Sequence, residues 1–176
     1  MSQARRLDVD DFRLFDLPRR HGLDRAALDA RWRALQAEVH PDRFAAEGAA
    51  AQRLAMQWSV RINEAYQRLK DPLARGAYLC TLAGAAIDAE RNTAMPAAFL
   101  MQQMAWREAL DEATDLAAVE SLDEQVAGDQ RQLLATLAEQ LDQRGDAAAA
   151  AQTVRALMFV KRFREDLGRR LEALEG

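Results

Sequence analysis

The sequence is poor in the residues that build disulfides, metal sites and covalent catalytic sites. It has one cysteine, Cys80, and two histidines, His21 and His40, and these three residues show no paired spacing. A lone cysteine excludes an internal disulfide and fits a reducing cytoplasm, while tight zinc or iron–sulfur sites use three or four such ligands. Gly-rich phosphate loops and the Gly-x-Ser-x-Gly elbow are also missing. We therefore expect no metal, no cofactor and no enzymatic activity.

Long apolar runs and an excess of positive charge are missing as well. No window reaches 18 uninterrupted apolar residues, and the N-terminal MSQARRLDVDDF lacks the apolar segment of a secretion signal. With 24 basic and 28 acidic side chains the net charge is −4, which argues against a protein that coats nucleic acid. The sequence thus predicts a cytoplasmic protein with neither nucleic acid nor membrane among its partners.

Helical periodicity is abundant and strand patterns are nearly absent, so the sequence predicts an all-α protein. A short helix over 10–17 precedes a helix from the Asp24 cap to about Val39 and another over 49–70. Apolar residues at helical spacing mark one face of each longer helix, which predicts an antiparallel hairpin with residues 40–48 at its tip. These apolar residues are Leu28, Trp32, Leu35 and Val39, then Leu54, Trp58, Ile62, Ala65, Tyr66 and Leu69.

The second half of the chain predicts a small antiparallel three-helix bundle. Pro72 opens a short fourth helix, and residues 84–95 lack periodicity and indicate a linker. Three longer helices are predicted after the linker, over about 96–112, 115–143 and 146–174. Short turns join them, as in an antiparallel bundle. The predicted domains are therefore 1–83 and 96–176, on either side of the linker.

The tip of the predicted hairpin carries His40-Pro41-Asp42. Pro41 ends the preceding helix because it has no N–H to donate and because it moves His40 out of the α region. A given tripeptide arises by chance in a chain of this length at roughly 2%, so the motif alone is only suggestive. One interpretation is that Asp42 merely caps and His40 merely ends a helix. The other is that both side chains are presented to a partner.

Together with its surroundings, the tripeptide resembles a J domain over residues 10–83. The matching segments are FRLFDLP, His40-Pro41-Asp42, INEAY and Asp71-Pro72. The resemblance implies that the loop and the second helix dock on a DnaK-like ATPase chaperone and trigger its ATP hydrolysis. In this interpretation Asp42 pairs with an arginine of the partner. Three arginines of the second helix would steer the approach to an acidic surface, namely Arg25, Arg31 and Arg33.

The helix MPAAFLMQQMAWREALDE is too apolar for a single buried face. At 100° per residue its core face consists of Phe99, Trp106 and Leu110. Nearly opposite lie Leu100, Met101 and Met104, with the carboxylates of Glu108 and Glu112 at the edge. An exposed apolar surface with charged edges is typical of a partner site. In the last helix Met158 and Phe159 also fall outside the core face. The pattern equally allows these residues to pack on the first domain or to cover a dimer contact.

The layout of the whole chain resembles the HscB family of iron–sulfur co-chaperones, essentially from end to end. In that family the outer face of the bundle binds the cluster scaffold IscU and brings it to the chaperone HscA. The resemblance implies scaffold-binding residues at Leu100, Met101, Met104, Glu108, Glu112 and Phe159. Ala105 stands where an acidic residue is usual, which implies one charged contact fewer. The cysteine extension of eukaryotic members is absent, which implies the bacterial type.

Two other functions stay open beside this one. A general J protein holds unfolded chains, and such proteins usually carry Gly/Phe-rich or zinc-binding segments, which this sequence lacks. An enzyme would need a nucleophile, a base or a metal constellation, and the sequence shows none of these patterns.

Overall fold

The structure, a computed structural model, describes residues 8–88 and 94–175. Within these ranges every regular element is helical, which confirms the predicted all-α fold. The elements are α1 (Asp11–Leu14), α2 (Arg25–Val39), a 3-10 helix (Pro41–Glu47), α3 (Ala49–Lys70), α4 (Pro72–Leu82), α5 (Ala97–Glu112), α6 (Leu116–Asp142) and α7 (Ala147–Glu175). In the part of the chain that is described, no helix combines the length and the apolarity needed to cross a lipid bilayer.

The chain forms two compact units, and the boundary between them falls between Tyr78 and Leu79. We call them the first and the second unit. The predicted segmentation into 1–83, 84–95 and 96–176 stays a prediction, and residues 89–93 of the predicted linker lie outside the described residues.

Helices α2 and α3 form the antiparallel hairpin of the first unit. Helix α2 begins where predicted because the Asp24 carboxylate accepts hydrogen bonds from two amides of the first turn, at 2.9 and 3.3 Å. Asp29, early in α2, accepts a hydrogen bond from the Tyr66 hydroxyl, late in α3, at 2.9 Å. Ser59, nearer the middle of α3, donates a hydrogen bond to Gln36, near the end of α2, at 2.9 Å. Later residues of α2 thus pair with earlier residues of α3, as in an antiparallel hairpin. The buried core of this unit includes Phe12, Phe15, Leu28, Leu35, Ile62, Ala65 and Leu69.

Helix α1 is shorter than the predicted range of 10–17. Asp10 lies outside the helix as its N-cap, and its carboxylate accepts a hydrogen bond from the Arg13 amide at 3.1 Å. The helix ends before Asp16, whose φ of 53° is left-handed and incompatible with a right-handed helix. The prediction placed the end at Pro18, but the backbone turns two residues earlier.

A buried carboxylate, which the sequence analysis did not single out, ties α1 to α3. Asp11 has no exposed surface, and its Oδ2 accepts a hydrogen bond from Arg68 Nη1 at 2.6 Å. Arg61 Nη2 donates to the Val9 carbonyl at 2.9 Å and lies 2.7 Å from Asp11 Oδ1, which is an electrostatic contact. The Asp11 amide donates to the Tyr78 hydroxyl at 3.0 Å. We refer to Asp11, Arg61 and Arg68 as the Asp11 cluster.

Leu54 is the predicted core residue of α3 that the structure places elsewhere. Its side chain is 46% exposed, and the neighbouring Ala55 is buried instead. The pairing of Gln36 with Ser59 places Leu54 opposite the residues that follow the end of α2 at Val39. No turn of α2 is left to cover Leu54, so an apolar residue at the correct period remains exposed to water.

Helices α5, α6 and α7 form the predicted antiparallel bundle of the second unit, each end within one residue of its predicted position. Thr153 donates to Gln140 at 2.8 Å, and Arg164 binds both carboxylate oxygens of Asp123 at 2.9 and 3.0 Å. These pairs join the end of α6 to the start of α7 and the start of α6 to the later part of α7. The buried core of this unit includes Trp106, Ala113, Val119, Leu122, Val126, Val160, Phe163 and Leu167.

Candidate functional site

The loop at the tip of the hairpin presents both polar members of the tripeptide to solvent. The side chains of His40 and Asp42 are 61% and 91% exposed. His40 has a non-helical backbone, with φ −58° and ψ 126°, as expected for the residue before Pro41. His40 Nδ1 accepts a hydrogen bond from the Asp42 amide at 3.4 Å, so His40 rather than Asp42 supplies the N-terminal cap of the 3-10 helix. The Asp42 carboxylate therefore does not have the capping role that one interpretation gave it.

Residues 40–48 are not an irregular loop. Pro41–Glu47 form a 3-10 helix, which Gly48 ends with a φ of 96°, a conformation that side-chain-bearing residues rarely adopt. The Arg43 guanidinium donates to the Ala37 carbonyl in the last turn of α2 at 3.1 Å. The tip is thus held against α2, and its polar side chains project from an ordered segment.

Below the tip, a polar network that the sequence analysis did not predict joins α2 to α3. Asn63 Oδ1 accepts hydrogen bonds from Trp32 Nε1 at 3.0 Å and from Gln36 Nε2 at 2.7 Å. Ser59 donates to Gln36 Oε1, and the Trp32 ring stacks on Tyr66 with 4.8 Å between centroids. Asn63 and Tyr66 belong to the INEAY segment. That segment therefore fixes the spacing of the two helices that carry the tip.

The three arginines of α2 differ in how much charge they offer to a partner. Arg25 donates to Asp29 Oδ1 at 2.8 Å, and Arg31 lies 3.3 Å from the Asp16 carboxylate. The hydrogen bond from Arg25, followed by that from Tyr66, lowers the pKa of Asp29, and Arg33 adds to this effect through its charge. Arg25 and Arg31 are half-exposed and ion-paired, which reduces their long-range field relative to three isolated cations.

The second candidate surface lies on α5. We call Leu100, Met101 and Met104 the apolar patch; they are 44%, 71% and 71% exposed. The opposite face of α5 is anchored in the core, where Trp106 is buried and stacks on Phe163 at 5.7 Å. Glu108 and Glu112 are exposed, and so is Ala105. Helix α5 therefore has one apolar face in the core and one in water, as predicted.

Comparison with known proteins decides the family. The chain is 54% identical over 159 residues to the co-chaperone protein HscB homolog of Bordetella petrii, which covers 90% of this chain and 94% of that protein. The chain belongs to the HscB family of co-chaperones. The HscB homolog of Burkholderia multivorans is 51% identical over 167 residues, or 93% of this chain and 95% of the relative. Residues 95–168 match the family described as HSCB C-terminal oligomerisation domain.

Two solved structures of the HscB family share the fold. The chaperone HscB from Vibrio cholerae superposes with a TM-score of 0.80 at 36% identity, covering 94% of this chain and 99% of that one. The human co-chaperone protein HscB gives a TM-score of 0.88 at 28% identity, and the match covers 96% of this chain and 85% of the human one. The predicted architecture of an N-terminal J domain followed by a C-terminal three-helix bundle is thus shown.

Phe159 differs from the expectation that it lies on the outer side of the bundle. It is half-buried, and its ring meets that of Phe99 edge-on with 5.9 Å between centroids. The Arg107 guanidinium lies over the Phe159 ring, 5.6 Å from its centroid. Phe159 and Phe163 are four residues apart and both contact aromatic rings of α5. That spacing was the sequence signal that places Phe159 at the edge of the core.

The structure thus gathers the predicted site residues into two groups. The chaperone-binding candidates all lie in the first unit, and the scaffold-binding candidates all lie in the second. Over residues 8–88 and 94–175, no three His, Cys, Asp or Glu side chains come together as a metal site would require. Cys80 is buried, and this burial raises the pKa of its thiol. Cys80 belongs to neither group, and the exposed residues of both groups form surfaces suited to binding proteins.

Proposed function

We propose that this chain is a cytoplasmic co-chaperone of iron–sulfur cluster assembly that activates one protein and delivers another. The tripeptide loop stimulates ATP hydrolysis by a DnaK-like chaperone of the HscA type. The apolar patch and its carboxylates bind the cluster scaffold IscU. The observation that carries the proposal is the exposure of His40 and Asp42 at the tip of the hairpin, in a chain that belongs to the HscB family.

The chemistry of the tip suits an interaction with a cationic site. Asp42 presents an almost fully exposed carboxylate, which an arginine of the chaperone would bind with charge-assisted hydrogen bonds. Pro41 and the bond from Arg43 to α2 fix the backbone before the partner arrives. Little conformational entropy is then lost on binding. Arg33, together with the ion-paired Arg25 and Arg31, gives the approach its electrostatic direction toward an acidic surface.

The chemistry of the patch suits a folded protein surface. Leu100, Met101 and Met104 supply apolar area, and methionine side chains adapt to the shape of what they contact. Glu108 and Glu112 follow on the same helix and would pair with basic residues at the rim of the scaffold. Phe159, which borders α5 through Phe99, would contribute the ring edge that stays exposed. Ala105 adds no charge.

An ATPase assay with the HscA-type chaperone tests both halves of the proposal in the full-length chain. We expect His40→Gln to abolish stimulation while far-UV circular dichroism and thermal melting stay unchanged, because the exposed tip contributes little to the core. We expect Met104→Ala to keep the basal stimulation but to lose the additional stimulation that IscU produces. Glu120→Gln, on an exposed position of α6 outside both surfaces, is the matched control and should behave as wild type.

The two failures have different signatures. If His40→Gln stimulates at the wild-type level, the role of the tripeptide is wrong. If an unfolded polypeptide competes with IscU for the chain, the protein is a general J protein instead of a co-chaperone with a dedicated client.

A further inference from the structure

Two thioether side chains are the most exposed of the large apolar side chains of α5. Met101 and Met104 are three residues apart, which places them about one turn apart on the same side of the helix, and each is 71% exposed. Met56, on α3 in the first unit, is 58% exposed, whereas Met95 and Met158 are half-buried. Exposure decides how readily an oxidant reaches a methionine sulfur. The two methionines of the apolar patch are therefore the most accessible of the five that the structure describes.

We propose that Met101 and Met104 are an oxidation-sensitive modification site: peroxide converts both to sulfoxides and thereby releases the scaffold protein. The inference rests on the proposed role of the apolar patch in binding IscU. It adds a reversible chemical control to that surface, since methionine sulfoxide reductases restore the thioether.

The step needs only hydrogen peroxide as the oxidant. The sulfur lone pair attacks one peroxide oxygen, a sulfur–oxygen bond forms, and the oxygen–oxygen bond breaks. The departing hydroxide takes up the proton of the transferred oxygen and leaves as water. Sulfur is oxidised by two electrons and peroxide is reduced by two, so one thioether and one peroxide give one sulfoxide and one water.

The sulfoxide changes the patch in one respect that matters for binding. Its oxygen is a strong hydrogen-bond acceptor, and it has to lose its water when a partner covers the patch. The carboxylates that follow on this face, Glu108 and Glu112, donate no hydrogen bond when ionised. The one cation that follows Met104 within a turn, Arg107, lies over the Phe159 ring. In the unbound chain both side chains face solvent, so the sulfoxides stay hydrated. Oxidation should therefore weaken binding without loosening the fold.

The remaining sulfur atoms make the modification selective. Cys80 has no exposed surface, and burial raises the pKa of its thiol, which keeps it in the less reactive protonated form. Met56 is also exposed, but it belongs to the first unit, whereas the apolar patch belongs to the second. It therefore serves as a matched control within the same molecule.

The test oxidises the full-length chain alone with hydrogen peroxide, removes the peroxide with catalase, and then measures IscU binding by titration calorimetry. Peptide mass spectrometry counts the sulfoxide at each methionine. Wild type is compared with Met101→Leu/Met104→Leu, which keeps apolar side chains of similar volume, and with Met56→Leu. A reductase treatment of the oxidised wild type checks that the effect is reversible.

We expect Met101 and Met104 to oxidise faster than Met158, and each sulfoxide to raise the Kd for IscU by ~10-fold, equivalent to about 1.4 kcal/mol. The melting temperature should stay unchanged. Met56→Leu should lose affinity on oxidation as wild type does. The double leucine variant changes the binding surface itself, so its Kd after peroxide is compared with its own Kd before treatment, and the two should be equal. Reductase should restore the wild-type Kd.

Three results would overturn the inference. In the first, wild type carrying both sulfoxides binds IscU with its original Kd. In the second, the double leucine variant loses affinity as much as wild type. In the third, Met101 and Met104 oxidise no faster than the half-buried Met158. A failure of the proposed function is seen without any oxidant, because Met104→Ala would then bind IscU as tightly as wild type, and the inference would fall with it.

Discussion

Replacing the buried Asp11 by alanine should destabilise the first unit by about 3 kcal/mol. Removing one partner of a buried ion pair costs roughly 3–5 kcal/mol, because the opposite charge stays in the protein interior. Here the Arg61 and Arg68 side chains are 20% and 40% exposed, so water solvates part of their charge after the change. The expected cost therefore lies at the lower end of the range. Asp11→Asn keeps the shape and should fall between alanine and wild type.

Urea unfolding, followed by far-UV circular dichroism, measures this cost. With a slope of about 1.5 kcal/mol per molar urea, a loss of about 3 kcal/mol lowers the midpoint by ~2 M. Asp42→Ala is the matched control, since its carboxylate is 91% exposed and its removal should change stability by less than about 0.5 kcal/mol. In the ATPase assay the order reverses, because Asp42→Ala should lose stimulation while remaining folded.

The reasoning is refuted if Asp11→Ala unfolds at the same urea concentration as Asp42→Ala. The Asp11 cluster would then give no net stability, with the desolvation of its three charged groups offsetting their attraction.

Three further predictions follow from the packing and the charges. Phe159→Ala should lower stability by about 2 kcal/mol, less than for a fully buried phenylalanine, whereas Met104→Ala should stay within about 0.5 kcal/mol; thermal melts separate the two. Association with the HscA-type chaperone should slow as salt rises past ~0.1 M, as measured by stopped-flow kinetics. Arg33→Ala should weaken this salt dependence more than Arg31→Ala, because Arg31 is already ion-paired with Asp16. Partial burial alone raises the pKa of Asp10, but the hydrogen bonds from Arg19 and the Arg13 amide outweigh it and hold the pKa below its ordinary value. The ionised carboxylate therefore stabilises the fold above the ordinary aspartate pKa, and this contribution is lost as the pH falls below about 4. Urea titrations should then show a smaller difference between wild type and Asp10→Asn at pH 3 than at pH 7.

Helix boundaries were predictable from the sequence where a single residue determines them. Asp24 caps α2 through its own carboxylate. Pro72 starts α4 because proline has no backbone N–H to continue the preceding helix, whereas the first turn of a new helix does not need that N–H. Gly48 separates the 3-10 helix from α3 through a positive φ. The exposure of the apolar patch was also predictable, since a helix with two apolar faces buries only one of them in a three-helix bundle.

The features that the sequence did not predict depend on what lies opposite a residue. Leu54 has the correct period for burial, but α2 ends before reaching it. Phe159 lies off the leucine face of α7, but Phe99 of α5 covers one side of its ring. Asp11 reads as an ordinary first-turn carboxylate until α3 places two arginines beside it. Apart from the four-residue spacing of Phe159 and Phe163, periodicity along one helix contains no information about these neighbours.

The position of Trp106 has a practical use in spectroscopy. The sequence has three tryptophans; Trp32 and Trp58 lie in the first unit, and Trp106 is buried in the second, stacked on Phe163. A Trp32→Phe/Trp58→Phe chain would emit from the second unit alone. Because indole emission shifts to longer wavelength when water reaches the ring, this signal reports the opening of the bundle core. Compared with Asp11→Ala in the same background, it shows whether the bundle stays closed while the hairpin unfolds.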